Sequence, residues 1–419
     1  LQNFRFIVST ILFFLVFGTV QAGWLVRIKD PRTHQLMLDS GCKLVHRYKN
    51  FPLALYERDS SVSTQTLRKK LNQFNVEAGQ TVPVRLARTP NDPRYTDQQT
   101  FHPLMPEANL FLPKAWEMRT DASNVVVAIL DGGFDTNHPD LQNNLWTNTA
   151  EAQGGIGVDD DGNSYVDDLH GWNAVNDTGV INDASNVHGT EVCGILGAEG
   201  DNGIGIAGIC WKARMMLVQV FGASNITDSG VILKGLDYAM SFPEVRIINA
   251  SWGTDIDEPL WRTAFEAVAQ KGILVVAAAG NDSVSLDDVP FYPASYPFDN
   301  IVSVAAINMA GQLASFSGYG SQVTVAAPGI SILTTLPNAD YGNANQGTSF
   351  ATPIVSGAAA LLLASEPALT ASEVRQRIVD TSRHTSTLEG VPLLGGLLNV
   401  QALLRGSVNS ARSWFLYAP

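Results

Sequence analysis

The stretch Val125-Val126-Val127-Ala128-Ile129-Leu130-Asp131-Gly132-Gly133 runs six apolar residues into a carboxylate and then two glycines. A strand with one wet face alternates apolar and polar residues, whereas an unbroken β-branched run is a strand covered on both faces. Such strands belong to parallel sheets with helices packed on either side. The flanking chain repeats the theme. Val/Ile/Ala-rich runs over 214–221, 245–250, 273–279 and 301–306 read as further strands. Stretches over 188–198, 229–241, 259–270, 349–365 and 370–380 read as helices. The expected fold class is therefore α/β, a doubly wound, mainly parallel sheet flanked by helices. Ligands in that architecture sit beyond the carboxyl ends of the strands. Asp131 closes one apolar run and Asn281 stands just past another, so both polar groups fall on that rim.

Upstream of this body, residues 23–90 read as a small α+β module. Short strand signals lie at 24–28 and 54–56, and an amphipathic helix is expected over 64–74 with Leu67, Leu71 and Phe74 on one face. Pro90-Asn91-Asp92-Pro93 breaks the pattern as a linker does. Residues 1–22 read as an export signal: Arg5 in front, an apolar run over 6–20, and Val20-Gln21-Ala22 ending on a small residue. That run is shorter than the ~20 residues a bilayer span requires. The expectation is an exported protein without a stable membrane anchor. The body extends over 91–405, and 406–419 is a tail that carries no readable signal.

Charge divides along the same line. Residues 23–92 hold 12 basic and 6 acidic side chains, a net of +6, while residues 93–419 hold 14 and 34, a net of −20. A body this acidic argues against a nucleic-acid partner, whose phosphates require basic side chains; it suits cation binding and solubility. With 45% hydrophobic and 16% charged residues, the 419-residue chain is no disordered polymer and has length enough for a substantial core. Three cysteines exclude a disulfide scaffold. Cys193 and Cys210, both in the body, either pair in an exported protein or remain buried thiols.

Three segments carry chemistry: Asp131 in VVVAILDGGFDTNHPDL, His188 in NVHGTEVCG and Ser349 in NQGTSFATP. A hydroxyl is a poor nucleophile at neutral pH. It needs a base within hydrogen-bond reach, and the base needs a partner that fixes its tautomer. Asp, His and Ser supply those roles if folding gathers them. Singly, each has a plainer reading: a turn former, a structural imidazole, a helix cap. Together they occur in order, each in a glycine-containing context, within one alternating α/β body.

At these residues the chain resembles the subtilisin-like serine peptidases, whose signatures are D-[S/T]-G, H-G-T-H-V-A-G and G-T-S-M-A-x-P. The corresponding stretches are Asp131-Gly132-Gly133, HGTEVCG from His188 and GTSFATP from Gly347. The resemblance implies a self-processing zymogen in which residues 23–90 are an inhibitory and chaperone-like propeptide. It implies Asp131, His188 and Ser349 as the catalytic line and Asn281, in VVAAAGND, as the oxyanion donor beside the Ser349 backbone. It further implies that Ser251, Trp252 and Gly253 form one substrate-binding edge, that Ala278, Ala279 and Gly280 line the main side-chain pocket, and that Phe291-Tyr292-Pro293 lie near its base. Bulk at Trp252 and Phe291 points to a narrow or apolar pocket. Gly132, Glu191, Cys193 and Phe350 depart from the signatures. Glu191 adds a carboxylate to the helix of His188, where it either raises the imidazole pKa or points to solvent.

Asp159, Asp161, Asn163 and Asp167, in DDDGNSYVDD, present hard oxygen ligands at near-alternating positions, a pattern suited to Ca²⁺ although not an EF-hand. By the same resemblance Asp140 and Asn202, with carbonyls around Ile204 and Ile206, form a second calcium candidate. Peptide or protein substrates and the chain's own N-terminal module are the implied partners. Two other classes fit the same scaffold: a transpeptidase or cyclase, in which an amine replaces water, and a non-catalytic binding module.

Overall fold

The computed structural model describes residues 24–49, 52–80, 89–98, 101, 107–181 and 186–406. The signal-like segment 1–22 and the tail beyond residue 406 lie outside them. The chain divides into two compact units, Leu1–Leu86 and Ala87–Pro419.

In the first unit, β1 (Trp24–Arg27), α1 (Pro31–Leu38), β2 (Cys42–Arg47), β3 (Leu53–Arg58), α2 (Thr64–Gln73) and β4 (Ala78–Gln80) follow in order. Its strands form an antiparallel sheet in the order β2-β3-β1-β4. A small core of Trp24, Val26, Met37, Tyr56, Leu67 and Leu71 holds sheet and helices together. Ser63 caps α2 by accepting from the Thr66 N–H. The expected inward face of α2 holds at Leu67 and Leu71 and fails at Phe74, which is 56% exposed. The helix ends at Gln73, so Phe74 leaves the helical spacing before it can extend the stripe.

The second unit opens with α3 (Leu112–Trp116) and β5 (Asp121–Gly132), then α4 (Thr149–Gln153), β6 (Gly171–Asn173), α5 (His188–Gly197), β7 (Lys212–Phe221), α6 (Ser229–Ser241), β8 (Val245–Ala250), α7 (Pro259–Gln270), β9 (Leu274–Ala278), β10 (Ile301–Ile307) and β11 (Val325–Pro328). A hairpin of β12 (Leu333–Leu336) and β13 (Asp340–Asn343) precedes α8 (Thr348–Ser365), α9 (Ala371–Thr381) and α10 (Val400–Arg405). Seven strands form one sheet in the order β11-β10-β9-β8-β5-β7-β6, with every pairing parallel. The run from Val125 to Gly132 is buried throughout, as a doubly covered strand requires. After β5 the chain builds β6 and β7 on one side and then β8 to β11 on the other. The order therefore reverses at β5, and Asp131 stands at the carboxyl end of the strand where the crevice opens.

Helix α8 is mostly apolar, with 16 of its 18 residues buried. It has the length and hydropathy of a membrane span, but 89% of that stretch is inside the unit, which makes it a core helix. Cys193 and Cys210 are separate buried thiols, so the bridge alternative is not formed. The Cys210 thiol donates to the Gly357 carbonyl of α8 at 3.2 Å, and burial pushes both thiols up.

Candidate active site

Asp131 is the penultimate residue of β5, with its side chain buried, and His188 begins α5. Their meeting depends on glycine: a Cβ at Gly189 would stand 2.8 Å from the carbonyls of Gly132 and Gly133. Only a bare backbone lets the first turn of α5 press onto the chain leaving β5. Asn186 secures this turn, accepting from the His188 N–H at 3.1 Å and donating to the Gly222 carbonyl at 3.0 Å. The result is a 2.7 Å contact between His188 Nδ1 and Asp131 Oδ1. A carboxylate can only accept, so Nδ1 carries the proton and Nε2 faces the cleft as a base. Asp131 Oδ1 also accepts from the Gly132 N–H at 2.7 Å; its Oδ2 is buried without a hydrogen-bond partner among the described residues. Burial alone would lower the His188 pKa, but the charge and hydrogen bond of Asp131, with the Glu191 charge, hold it above its ordinary 6.5.

Ser349 is the second residue of α8. Pro353, four residues on, has no N–H to give the Ser349 carbonyl. That carbonyl accepts instead from the Ser251 hydroxyl at 2.9 Å. Asn249 Nδ2 donates to the Ser251 hydroxyl at 2.9 Å, and the Ser356 hydroxyl donates to Asn249 Oδ1 at 2.8 Å. This buried chain ties the start of α8 to the end of β8. No hydrogen bond joins the Ser349 hydroxyl to His188 in this structure. The rings of His188 and Phe350 pack with centroids 5.3 Å apart.

Asn281 follows β9 and meets the same helix. Its Oδ1 accepts from the Thr348 N–H at 2.9 Å and the Thr348 hydroxyl at 3.1 Å. One unpaired N–H of the helix start is thereby satisfied. With the carbonyl end held, the Nδ2 end is turned outward. The point where a Cβ on Gly347 would stand is 3.6 Å from Asn281 Nδ2 and 3.7 Å from the Ser349 nitrogen. Two donors, one from a side chain and one from the positive end of a helix, thus face the space beside the serine. An oxygen that gains negative charge there is stabilised as the charge develops.

Ser251, Trp252 and Gly253 line a cavity of about 310 Å³ with Asp131 and His188. An adjoining cavity of about 480 Å³ is bordered by Gly253, Ala279, Gly280 and Phe291. Ala278 is buried at the end of β9. Trp252 is half-buried, and its Nε1 donates to the Leu130 carbonyl at 2.8 Å. The Phe291 ring is wedged between the two edges: a Cβ on Gly253 would lie 2.4 Å from it and one on Gly280 3.2 Å.

The acidic loop gathers a different set from the expected one. One carboxylate oxygen each from Glu151, Asp159 and Asp161 lies within 4.8 Å of the others. The Asp167 carboxylate instead accepts from the Gly157 N–H, and Asn163 Nδ2 donates to Asp161 and Asp168. Asp168 is fully buried, accepts from the Tyr238 hydroxyl and Asn148, and burial pushes it up to about 6. Elsewhere, Asp140 is also fully buried; its Oδ1 accepts from Asn202 Nδ2 at 2.8 Å and its Oδ2 from the Ile206 N–H at 2.9 Å. Glu151 and Asp168 escaped the sequence reading because alternation within DDDGNSYVDD says nothing of a carboxylate on α4 or of which aspartate turns inward. Asn186, Asn249 and Thr348 escaped it because their work is orientation, which leaves no spacing signal beyond the flanks of the motifs.

The sequence model of the subtilase family matches residues 122–400. Subtilisin from Bacillus pumilus is 37% identical over 283 residues, which are 67% of this chain and 90% of that protein. Subtilisin NAT from Bacillus subtilis subsp. natto is 37% identical over 283 residues, 67% of this chain but only 65% of that longer protein. Subtilisin-like protease 1 from Plasmodium berghei (strain Anka) is 31% identical over 330 residues, 73% of this chain and 54% of the relative. Among solved structures, one of proteases from Pseudoalteromonas arctica PAMC 21717 aligns with a TM-score of 0.61 at 28% identity, covering 76% of this chain and 99% of that one.

Proposed function

The chain belongs to the subtilase family of serine-type endopeptidases, and from that premise we propose that it is an exported, self-processing endopeptidase whose nucleophile is Ser349. In this reading the Ser349 hydroxyl attacks the peptide carbonyl while His188 Nε2 takes its proton. Asp131 fixes the imidazole tautomer and balances the imidazolium. The carbonyl oxygen, now an oxyanion, is held by Asn281 Nδ2 and the Ser349 N–H. His188 returns the proton to the departing amine. Water then repeats the sequence on the acyl-enzyme and frees the acid and Ser349. The observation that carries the reading is the 2.7 Å acid–imidazole contact opening onto a cavity lined by Ser251, whose hydroxyl donates to the Ser349 carbonyl at the start of α8.

Residues 23–90 act in this reading as the propeptide, and residues 1–22 as the signal that exports the zymogen. The net +6 of residues 23–92 against the −20 of residues 93–419 supports an inhibitory partner of opposite charge. Substrate lies as an added strand along Ser251–Gly253 and 278–280. The Phe291 ring between these edges narrows the pocket, which suits small side chains. Phe291→Ala is expected to raise kcat/KM for a large aromatic residue at the cleavage position on the order of tenfold relative to a small one. Peptide-library cleavage checks this, and an unaltered preference removes Phe291 from the pocket.

Calcium fits the acidic loop. Ca²⁺–oxygen bonds are about 2.4 Å, so two ligands of one ion lie at most about 4.8 Å apart, and the three oxygens of Glu151, Asp159 and Asp161 keep within that limit. Asp140 with Asn202 supports a second site, because burial pushes that carboxyl up to about 6, a penalty that a cation offsets. The ion's role is structural, clamping loops to the body. Chelator is expected to lower the melting temperature by about 5 °C or more, with added calcium restoring it. Identical melting curves with chelator and with calcium exclude both sites.

A further inference from the structure

Glu191 lies three residues after His188 on α5, one turn along the same helix, and is only 5% exposed. Its backbone is fully engaged: the N–H donates to the Val187 carbonyl and the carbonyl accepts from the Thr334 hydroxyl. No hydrogen bond from another described residue holds its carboxyl. The elements around it are poor in countercharge. Helix α8 carries no acidic, basic or imidazole side chain, and β12 offers only Thr334 and Thr335. On β7 the ionisable groups are Lys212 and Arg214, paired with Asp121 and Val126 at the far end of β5. Cys193 is a buried thiol. The groups whose charge bears on Glu191 are therefore His188 on its own helix and Asp131 on β5.

We propose that Glu191 is a positioning residue that acts through His188: the two take up protons as one coupled unit, so that Glu191 sets the pH at which the imidazole becomes a free base. Glu191 touches neither substrate nor reacting atoms in this arrangement. When ionised, it favours the protonated imidazole, and at this burial salt screens the interaction little. Burial pushes the Glu191 carboxyl up to about 7, with a charged His188 opposing that shift and Asp131 adding to it. Its charge thus changes well above the ordinary carboxylate range, while the imidazole is held above its own 6.5. Two sites so coupled titrate in macroscopic steps that belong to the pair. The sign follows: removing the carboxylate lowers the imidazole pKa, and the acid limb of activity moves to lower pH.

This inference rests on His188 being the base of the proposed reaction, so the experiment has an arm that needs no turnover. The His188 imidazole is followed by NMR from about pH 4 to about pH 9, wide enough for two steps, in full-length Ser349→Ala protein, with and without Glu191→Gln. With Glu191 present, the titration is expected to be biphasic; with Gln it becomes a single step about 0.5–1 pH unit lower. In parallel, the pH dependence of kcat/KM is measured for wild type, Glu191→Gln and Glu191→Asp, each normalised to its own plateau. One pH unit below the wild-type midpoint, the Gln variant should retain roughly three- to five-fold more of its plateau activity, and the Asp variant should follow wild type. A single-step His188 titration in the protein that keeps Glu191 overturns the proposal, even if the Gln variant does not fold. Coincident acid limbs for wild type and Glu191→Gln overturn it as well. Coupled imidazole titration in a protein that cleaves no peptide would leave the pair standing and sink the catalytic reading.

Discussion

Ser349→Ala is expected to abolish peptide hydrolysis and to leave the N-terminal unit attached to the body. Removing the hydroxyl deletes the only atom that bonds to the acyl group, while Asp131 and His188 keep their 2.7 Å contact. Loss of the nucleophile from such an assembly lowers turnover by on the order of 10⁶, about 8 kcal/mol of barrier. The fold should be indifferent, because the bonds that tie down the start of α8 run through the Ser349 carbonyl and Thr348 and not through the hydroxyl. Intact-mass analysis of the expressed chain and a casein assay read the two outcomes together. A variant that still trims itself and digests casein would remove Ser349 from the chemistry. Products lengthened by an added amine, in the unmodified protein, would point to acyl transfer instead of hydrolysis.

Asn281→Ala is expected to lower kcat by about 10²–10³ with little change in KM. Its amide gains strength only as the carbonyl oxygen becomes charged, so its loss falls on the transition state. The direction of that amide is set by Thr348, whose N–H and hydroxyl both hold Oδ1. Thr348→Val keeps the first of these bonds and loses the second. It should therefore lower kcat less, by about tenfold. Equal losses in kcat and in substrate affinity for Asn281→Ala would mean that the side chain binds substrate in its ground state and is no oxyanion donor.

Elements whose character is local were legible in the chain. The apolar run before Asp131 could be nothing but a doubly covered strand, and residues 229–241 and 259–270 became α6 and α7 at the expected limits. The catalytic candidates were legible too, because Asp131 and His188 sit beside glycines that a packed backbone demands and Ser349 stands two residues after Gly347 at the start of an apolar helix. The acidic loop was only half legible. Four ligand positions were drawn from alternation within one segment, whereas the oxygens that converge come from Glu151 on α4 together with Asp159 and Asp161. Phe74 marks the same boundary, since periodicity announces a face but not the residue at which a helix stops.

Composition, pattern and motif by themselves determined that this is a parallel α/β protein with an acid, an imidazole and a hydroxyl in order, preceded by a basic module. Those properties are written in nearest neighbours: side-chain periodicity, glycine placement and charge. Only the tertiary structure decided that Asn281 braces the first turn of α8, that Ser251 occupies the carbonyl released by Pro353, and that Glu191 is buried one helical turn from His188. Each of these depends on which distant segment closes over a polar group and shields it from water. That is settled by packing between strands and helices far apart along the chain, and no local pattern encodes it.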